Sequence, residues 1–251
     1  MWVNHGEVDG AQAKQAFSSL DAVFALKGEA VTSSSLCSVD KVVFAEGDTS
    51  KAFYIKRYCR AGEGLSGIVG ISKARREWQN LLRFADWGLP VAQLAAYGEE
   101  AWTMSSRRGV VVTREIKNST DLARLANQKA DQFRRPDWVR SVSQQVAHAT
   151  RVMHQHNFAH NDWKWRNILV VETDDGPRIY MIDCPAGMTW WGPFFEYRRI
   201  KDLACLDKIG RYTLSRSQRL RFYLDYVQRD RLNHRDKKVI RKILAFFAGR
   251  E

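Results

Sequence analysis

The stretch His160-Asn-Asp-Trp-Lys-Trp-Arg-Asn-Ile-Leu-Val170 decides how this chain is read. It opens polar, carries two tryptophans and three basic residues, and ends in the strand-like run Ile168-Leu-Val170. Asp162 and Asn167 stand five positions apart just ahead of that run. A second strand-like run, Ile179-Tyr-Met-Ile182, is closed by another carboxylate, Asp183, and a turn with Pro185 and Gly187 follows. Two hairpin-related strands would bring Asn167 and Asp183 together as oxygen ligands for Mg²⁺, which takes few protein oxygens and completes its shell from phosphates and water. Asp162 is placed in the loop to orient a hydroxyl or accept its proton.

Working outward, Trp138, Val142, Val146, Ala149 and Met153 mark an amphipathic helix that ends just before this loop, with Pro136 and Asp137 near its start. Downstream, helices are expected over about 201–212, 217–229 and 236–247. The first third reads as strands over 41–46 and 52–58, separated by the turn-like Gly47-Asp-Thr-Ser50. A helix follows from about 68 to 87, with a stripe of Ile71, Ala74, Trp78, Leu81 and Ala85, and Gly88 and Pro90 stop it. Two more strands are expected near 91–97 and 110–116. A strand-rich front with one long helix, then a helical back, predicts an α+β, two-lobed architecture. Lys56 lies inside a strand, where an exposed strand face is the plain reading. Glu77 lies beside the apolar stripe of the helix, turned toward the core, and a carboxylate there needs a cation. Lys56 is a candidate.

Lys56, Glu77, His160-x-Asp162-x-Lys164-x-x-Asn167 and Asp183 resemble, in order and approximate spacing, the motif set of the protein-kinase-like fold. The resemblance spans about residues 30–210. It implies one kinase-like domain over 1–251, with a β-rich N-lobe to about 116 and a helical C-lobe from about 117. It implies that Lys56, paired with Glu77, holds ATP phosphates. Asp162 would take the substrate hydroxyl, with Lys164 adding positive charge, while Asn167 and Asp183 hold Mg²⁺. Asp202 looks like the helix aspartate that braces the loop from below, and His160 like a structural support of the loop. Four departures stand out. The loop reads His-Asn-Asp rather than His-Arg-Asp, so control by a phosphorylated activation loop is not expected. Asp183 is followed by Cys184-Pro185, not Phe-Gly. The nearest substitute for a glycine-rich loop is Thr32-Ser-Ser-Ser35. Only 19 residues separate Asp183 from Asp202, with no Ala-Pro-Glu between them, which leaves little room to dock a peptide.

The short segment, small helical C-lobe and basic surface are similar to the bacterial lipopolysaccharide kinases, which phosphorylate Kdo or heptose of the inner core. Asp183-Cys-Pro-Ala-Gly, Trp190-Trp-Gly-Pro193 and Arg198-Arg-Ile-Lys-Asp-Leu-Ala-Cys-Leu206 carry that resemblance. It implies an ATP- and Mg²⁺-dependent sugar kinase whose substrate is the core glycolipid, peripheral on the cytoplasmic face of the inner membrane. Two alternatives remain at this stage: a small Ser/Thr protein kinase, and a non-catalytic stress or scaffold protein of kinase fold.

Composition bounds these readings. The 251 residues are 45% apolar, enough for a sizeable core, and no apolar run spans a membrane. The N-terminal MWVNHGEVDG lacks a basic flank with an apolar run behind it, so no secretory signal is expected. Four scattered cysteines read as reduced thiols. The net charge is +12, and residues 211–251 hold 12 Lys and Arg against 4 Asp and Glu. This favours an anionic partner such as the inner-membrane surface, or is simply a solvated helical face. No nucleic-acid motif accompanies it, and no nucleic acid is expected as a partner. Trp190 and Trp191 fit sugar stacking or plain packing. One of Trp163 and Trp165 is expected in the core. His154 and His156 read as caps of a helix C-terminus. Arg198 and Arg199 read either as readers of acidic glycan groups or as exposed.

Overall fold

The computed structural model describes residues 1–4, 8, 10–35, 37–46, 49–58, 71–101 and 107–249. Gly47, Asp48, Cys59, the helix start expected at 68–70, and residues 250–251 of the basic tail lie outside the described residues. The chain forms two compact units, one of residues 1–85 with 91–116 and one of 86–90 with 117–251.

The first unit is built on a six-stranded antiparallel sheet: β1 (Trp2–Asn4), β2 (Glu29–Ser33), β3 (Cys37–Glu46), β4 (Thr49–Tyr58), β5 (Leu94–Ala101) and β6 (Arg107–Arg114). Their order across the sheet is β1-β5-β6-β4-β3-β2. The two-residue period of β4 sorts its side chains onto two faces. Phe53 and Ile55 join Phe17, Leu20, Val23, Val42 and Phe44 in a core under α1 (Ala11–Ala16) and α2 (Leu20–Ala25). Phe17 meets Phe44 and Phe53 edge-on, at 5.5 and 5.1 Å between ring centres, a geometry that contributes about 0.5–1.5 kcal/mol per pair beyond burial. Arg57, on that face, is buried. It donates to the carbonyls of Val23 and Leu26 at 2.9 and 2.7 Å and pairs with Asp40. Lys56 and Tyr58 occupy the opposite face, the one met by α3 (Lys73–Asp86).

The helix α3 begins where Ser72 accepts a hydrogen bond from the Arg75 N–H at 3.0 Å. Ile71 therefore precedes the helix and is 51% exposed, contrary to its expected place in the stripe. The buried face is Ala74, Glu77, Trp78, Leu81 and Phe84. Steps of three and four both fit a helix face, and Phe84 takes the position expected for Ala85 because it buries far more apolar area. Trp78 stacks on Tyr97 of β5 at 5.3 Å. Ahead of the strand expected at 41–46 stand α1, α2, β1 and β2, which the sequence reading did not assign.

The second unit centres on α5 (Pro136–Gln155), preceded by β7 (Thr120–Asp121) and α4 (Leu122–Asn127). Trp138, Val142, Val146, Ala149 and Met153 are all buried, as their spacing requires. The hairpin of β9 (Ile168–Thr173) and β10 (Gly176–Met181) pairs with β7 in a three-stranded sheet, and β8 (Phe158–Ala159) pairs with β11 (Met188–Thr189). The Gln145 side chain bonds β10 at both ends of its amide, to Pro177 O at 2.7 Å and Ile179 N at 3.0 Å. Then come α6 (Gly192–Thr213), α7 (Arg216–Val227) and α8 (His234–Ala245). α6 starts nine residues before the expected Lys201. Gly192-Pro193 reads as a turn, yet proline suits a first helical turn because the N–H it lacks has no partner there. Capping boxes start α7 at Ser215/Gln218 and α8 at Asn233/Asp236.

The helical unit also holds a partly open, largely apolar cavity of about 520 Å³, lined by Leu122, Val142, Leu203, Leu206, Phe222 and Ile243 among others. The Asp207–Arg219 pair, bonded twice at 2.7 and 2.8 Å, contributes to its wall.

Candidate active site

The loop from His160 to Asn167 alternates. Trp163 and Trp165 are buried, while Asp162 and Lys164 are half-buried and Arg166 is exposed. An extended chain sends successive side chains to opposite sides, so two tryptophans anchor the segment inward and present the charged residues outward. Trp163 donates to the Thr150 hydroxyl at 2.8 Å. Trp165 stacks on Phe133 at 5.8 Å. Both tryptophans are core, where only one was expected to be.

Below the loop, Asp202 of α6 is fully buried and accepts the backbone N–H groups of His160 and Asn161 at 2.7 and 2.9 Å. His160 is also fully buried, with its ring tilted against Trp163 at 5.0 Å. Burial lowers its pKa, and the opposing pull of the Asp202, Asp183 and Asp162 carboxylates does not reverse this. The ring is held neutral, which suits packing rather than proton transfer. His154 is no simple helix cap. Its ring lies 2.9 Å from the Tyr226 hydroxyl and 3.5 Å from Asp202. His156 stacks on Trp87 at 4.2 Å.

Asn167 turns back on Asp162. Its amide nitrogen donates to the Asp162 carbonyl at 2.8 Å and reaches the Asp162 carboxylate at 3.4 Å. With its nitrogen engaged, the amide oxygen is the end of Asn167 that could serve as a ligand. The β9–β10 hairpin pairs Ile168 with Met181, and Ile182 N–H donates to Asn167 O at 3.1 Å. Ile182 thus lies opposite Asn167, and Asp183 is the next residue along, with its backbone in the left-handed region at φ 62°. One amide and one carboxylate oxygen fit Mg²⁺, which asks for hard oxygen donors and few of them. Among the described residues, no cluster of three or more His, Cys, Asp or Glu forms a metal cage.

Asp162 is paired with Lys164 and with Arg166, the latter at 3.1 Å. Partial burial pushes its pKa up, but hydrogen bonds and charge from Lys164 and Arg166 outweigh this, and the carboxyl lies below its ordinary value.

In the first unit, Lys56 meets Glu77 at 3.1 Å, with side chains only 15% and 5% exposed. Tyr58 donates a further hydrogen bond to Glu77, a partner the sequence reading missed. Thr32 and Ser33 end β2, and Ser34 closes the turn onto Cys37 through its N–H at 2.9 Å and its hydroxyl at 3.0 Å.

The segment after Asp183 is short and tied down. Asn161 donates its side-chain amide to Ala186 O at 2.8 Å and accepts from Arg198 at 3.4 Å. Arg198 also lies over the Trp190 ring at 4.7 Å. Gly187 is required there: a Cβ would fall 2.4 Å from Cys184 Sγ and 2.5 Å from Phe158. Arg199 is half-buried rather than exposed. It bonds Glu196 at 2.7 Å and the Tyr226 hydroxyl at 3.3 Å. The role of Asn161 was not read from sequence, although its place in the usual arginine position was the signal.

Over 194 residues, 71% of this chain and 70% of the relative, the sequence is 26% identical to the lipopolysaccharide core heptose(I) kinase WaaP of Pseudomonas aeruginosa. A solved structure, WaaP in complex with acyl carrier protein, matches with a TM-score of 0.67 at 24% identity, covering 90% of this chain and 88% of that one. That likeness gives the fold, an α+β kinase-like fold of two lobes. The family model of the lipopolysaccharide kinases (Kdo/WaaP) matches residues 64–226, a span that holds Glu77, Asp162, Asn167, Asp183 and Asp202 and begins after Lys56. With most of its length in that match, the chain belongs to the lipopolysaccharide kinase (Kdo/WaaP) family.

Proposed function

We propose that the protein transfers the γ-phosphoryl group of ATP to a hydroxyl of a lipopolysaccharide inner-core sugar, a heptose or Kdo, at the cytoplasmic face of the inner membrane. The observation that supports this most is the lock between Asn167 and Asp162, whose amide-to-carbonyl bond joins the loop to the foot of the hairpin, where Ile182, the residue before Asp183, bonds Asn167. In this reading the two units act as lobes of one catalytic domain. The Asp162 carboxylate orients the sugar hydroxyl and takes its proton as the sugar oxygen bonds phosphorus and the bond to ADP breaks. Lys164 neutralises charge near the transferring group, and Lys56, aligned by Glu77, holds the ATP phosphates. Mg²⁺, held by the Asn167 amide oxygen and Asp183, would supply charge neutralisation on those phosphates. Catalysis is then positioning and electrostatics, with little covalent work for the protein.

The test is ATP turnover with lipopolysaccharide core, with a generic protein, and with neither, for wild type and Asp162→Ala. The expected result is turnover with the core glycolipid that falls by about 10²-fold or more in the variant, which still unfolds as a cooperatively folded protein. Near wild-type transfer by Asp162→Ala would reject the reading of this loop.

We also infer an acyl carrier protein as a partner, because the solved relative was captured with one. The observation favouring it is the apolar cavity of about 520 Å³ in the helical unit, of a size and lining that suit an alkyl chain. Size-exclusion chromatography with acylated and unacylated carrier protein tests it, and equal failure of both to co-elute rejects it.

A further inference from the structure

The start of α6 exposes large aromatic side chains. Trp191 is 71% exposed, Phe194 72% and Tyr197 49%, with Met188 at 38% just before them. Phe194 and Tyr197 are three apart on a helix and Trp191 caps it, so the three share one side. Isolated apolar residues on a surface need no explanation, but a contiguous aromatic group does.

This patch is joined to a strongly basic helix, α8. Tyr197 meets Phe246, at the end of α8, with ring centres 5.4 Å apart. Arg235, Lys237, Lys238, Arg241 and Lys242 of α8 are all exposed, while Ile243 turns inward to the core. Glu196 is the acidic residue at the start of α6, and Arg199 already binds it. The patch is also tied to the catalytic loop: Trp190 N–H donates to Asn157 O at 2.9 Å, and Arg198 bonds Asn161.

We propose that Trp191, Phe194 and Tyr197 insert into the interfacial layer of an anionic bilayer, with α8 lying on its headgroups. Aromatic rings favour that layer and basic side chains favour its charge, so the two surfaces are complementary to one partner. The patch would set the loop carrying Asp162 at the depth of a sugar just outside the lipid layer. The inference rests on the reading of a lipid-linked substrate for its purpose, but its test uses neither nucleotide nor glycolipid.

Co-sedimentation with phosphatidylglycerol-containing and pure phosphatidylcholine vesicles is measured for wild type and the W191S/F194S double variant. Both positions are exposed, so the variant should melt like wild type. Binding to anionic vesicles should fall by roughly tenfold or more, since it scales with inserted apolar area. Brominated lipid should quench wild-type fluorescence more than that of Trp191→Phe. The proposal is overturned if the double variant binds vesicles like wild type. It is equally overturned if wild type binds no vesicles at low salt, or if the substitutions abolish only self-association.

Discussion

The carboxylate of Asp202 reaches back 42 residues to hold the backbone N–H of His160 at 2.7 Å, with both residues fully buried. Asn161 donates to its second oxygen. The loop is thus pinned by its main chain, whatever its side chains do.

Asp202→Ala should leave two buried N–H donors without an acceptor, at a cost of about 1–3 kcal/mol each. Chemical denaturation should register the loss. Asp202→Asn keeps one acceptor oxygen and should recover part of it. Turnover should fall in both, with the apparent KM for ATP changing less than kcat.

Asn167→Ala and Asp183→Asn should each raise the Mg²⁺ concentration needed for half-maximal activity. A magnesium titration at saturating ATP decides this, and an unchanged midpoint in both variants would put the metal elsewhere.

The charge on Asp162 has a pH signature. Its folded pKa lies below the ordinary value of 3.8, so the stability it contributes is present above that value and lost as pH falls through the folded one. Arg166→Gln removes one of the two cations beside it. The acid limb of the pH–activity profile should then move to higher pH, while the limb of wild type stays put.

Neutralising Arg235, Lys237, Lys238, Arg241 and Lys242 should weaken binding to anionic vesicles and flatten its salt dependence, because exposed charges are screened over about 8 Å at physiological ionic strength. Identical salt titrations for the two proteins would remove α8 from the membrane contact. Among the described residues no helix is long and apolar enough to cross a membrane.

What the sequence revealed depended on how local the cause was. The α5 stripe and the β9–β10 hairpin follow from spacing alone, and the hairpin sets Ile182, the residue before Asp183, opposite Asn167. The Lys56–Glu77 contact was legible because a carboxylate on the inward edge of a helix demands a cation. The His154–Tyr226 contact was not, since its partners lie 72 residues apart and neither has a pattern that points to the other. The first nine residues of α6 escaped for a different reason. Their aromatics face outward, so no apolar stripe marks them, and Gly192-Pro193 resembles a turn. Ile71 and Ala85 were misassigned because steps of three and four are equally helical, and the Ser72 cap settles the start.

The left-handed backbone at Asp183 narrows which residues that position can hold. A side chain with a β-carbon is disfavoured there by about 1–2 kcal/mol, and asparagine and aspartate are the ones that tolerate it because their short polar groups bond locally. Alanine at 183 would therefore change chain conformation and charge together, whereas asparagine changes charge alone. The strain favours aspartate, asparagine and glycine at this position, and only the first of these carries a full negative charge. A survey of natural variants should accordingly find asparagine and glycine to be the commonest replacements there, each removing the charge in one step.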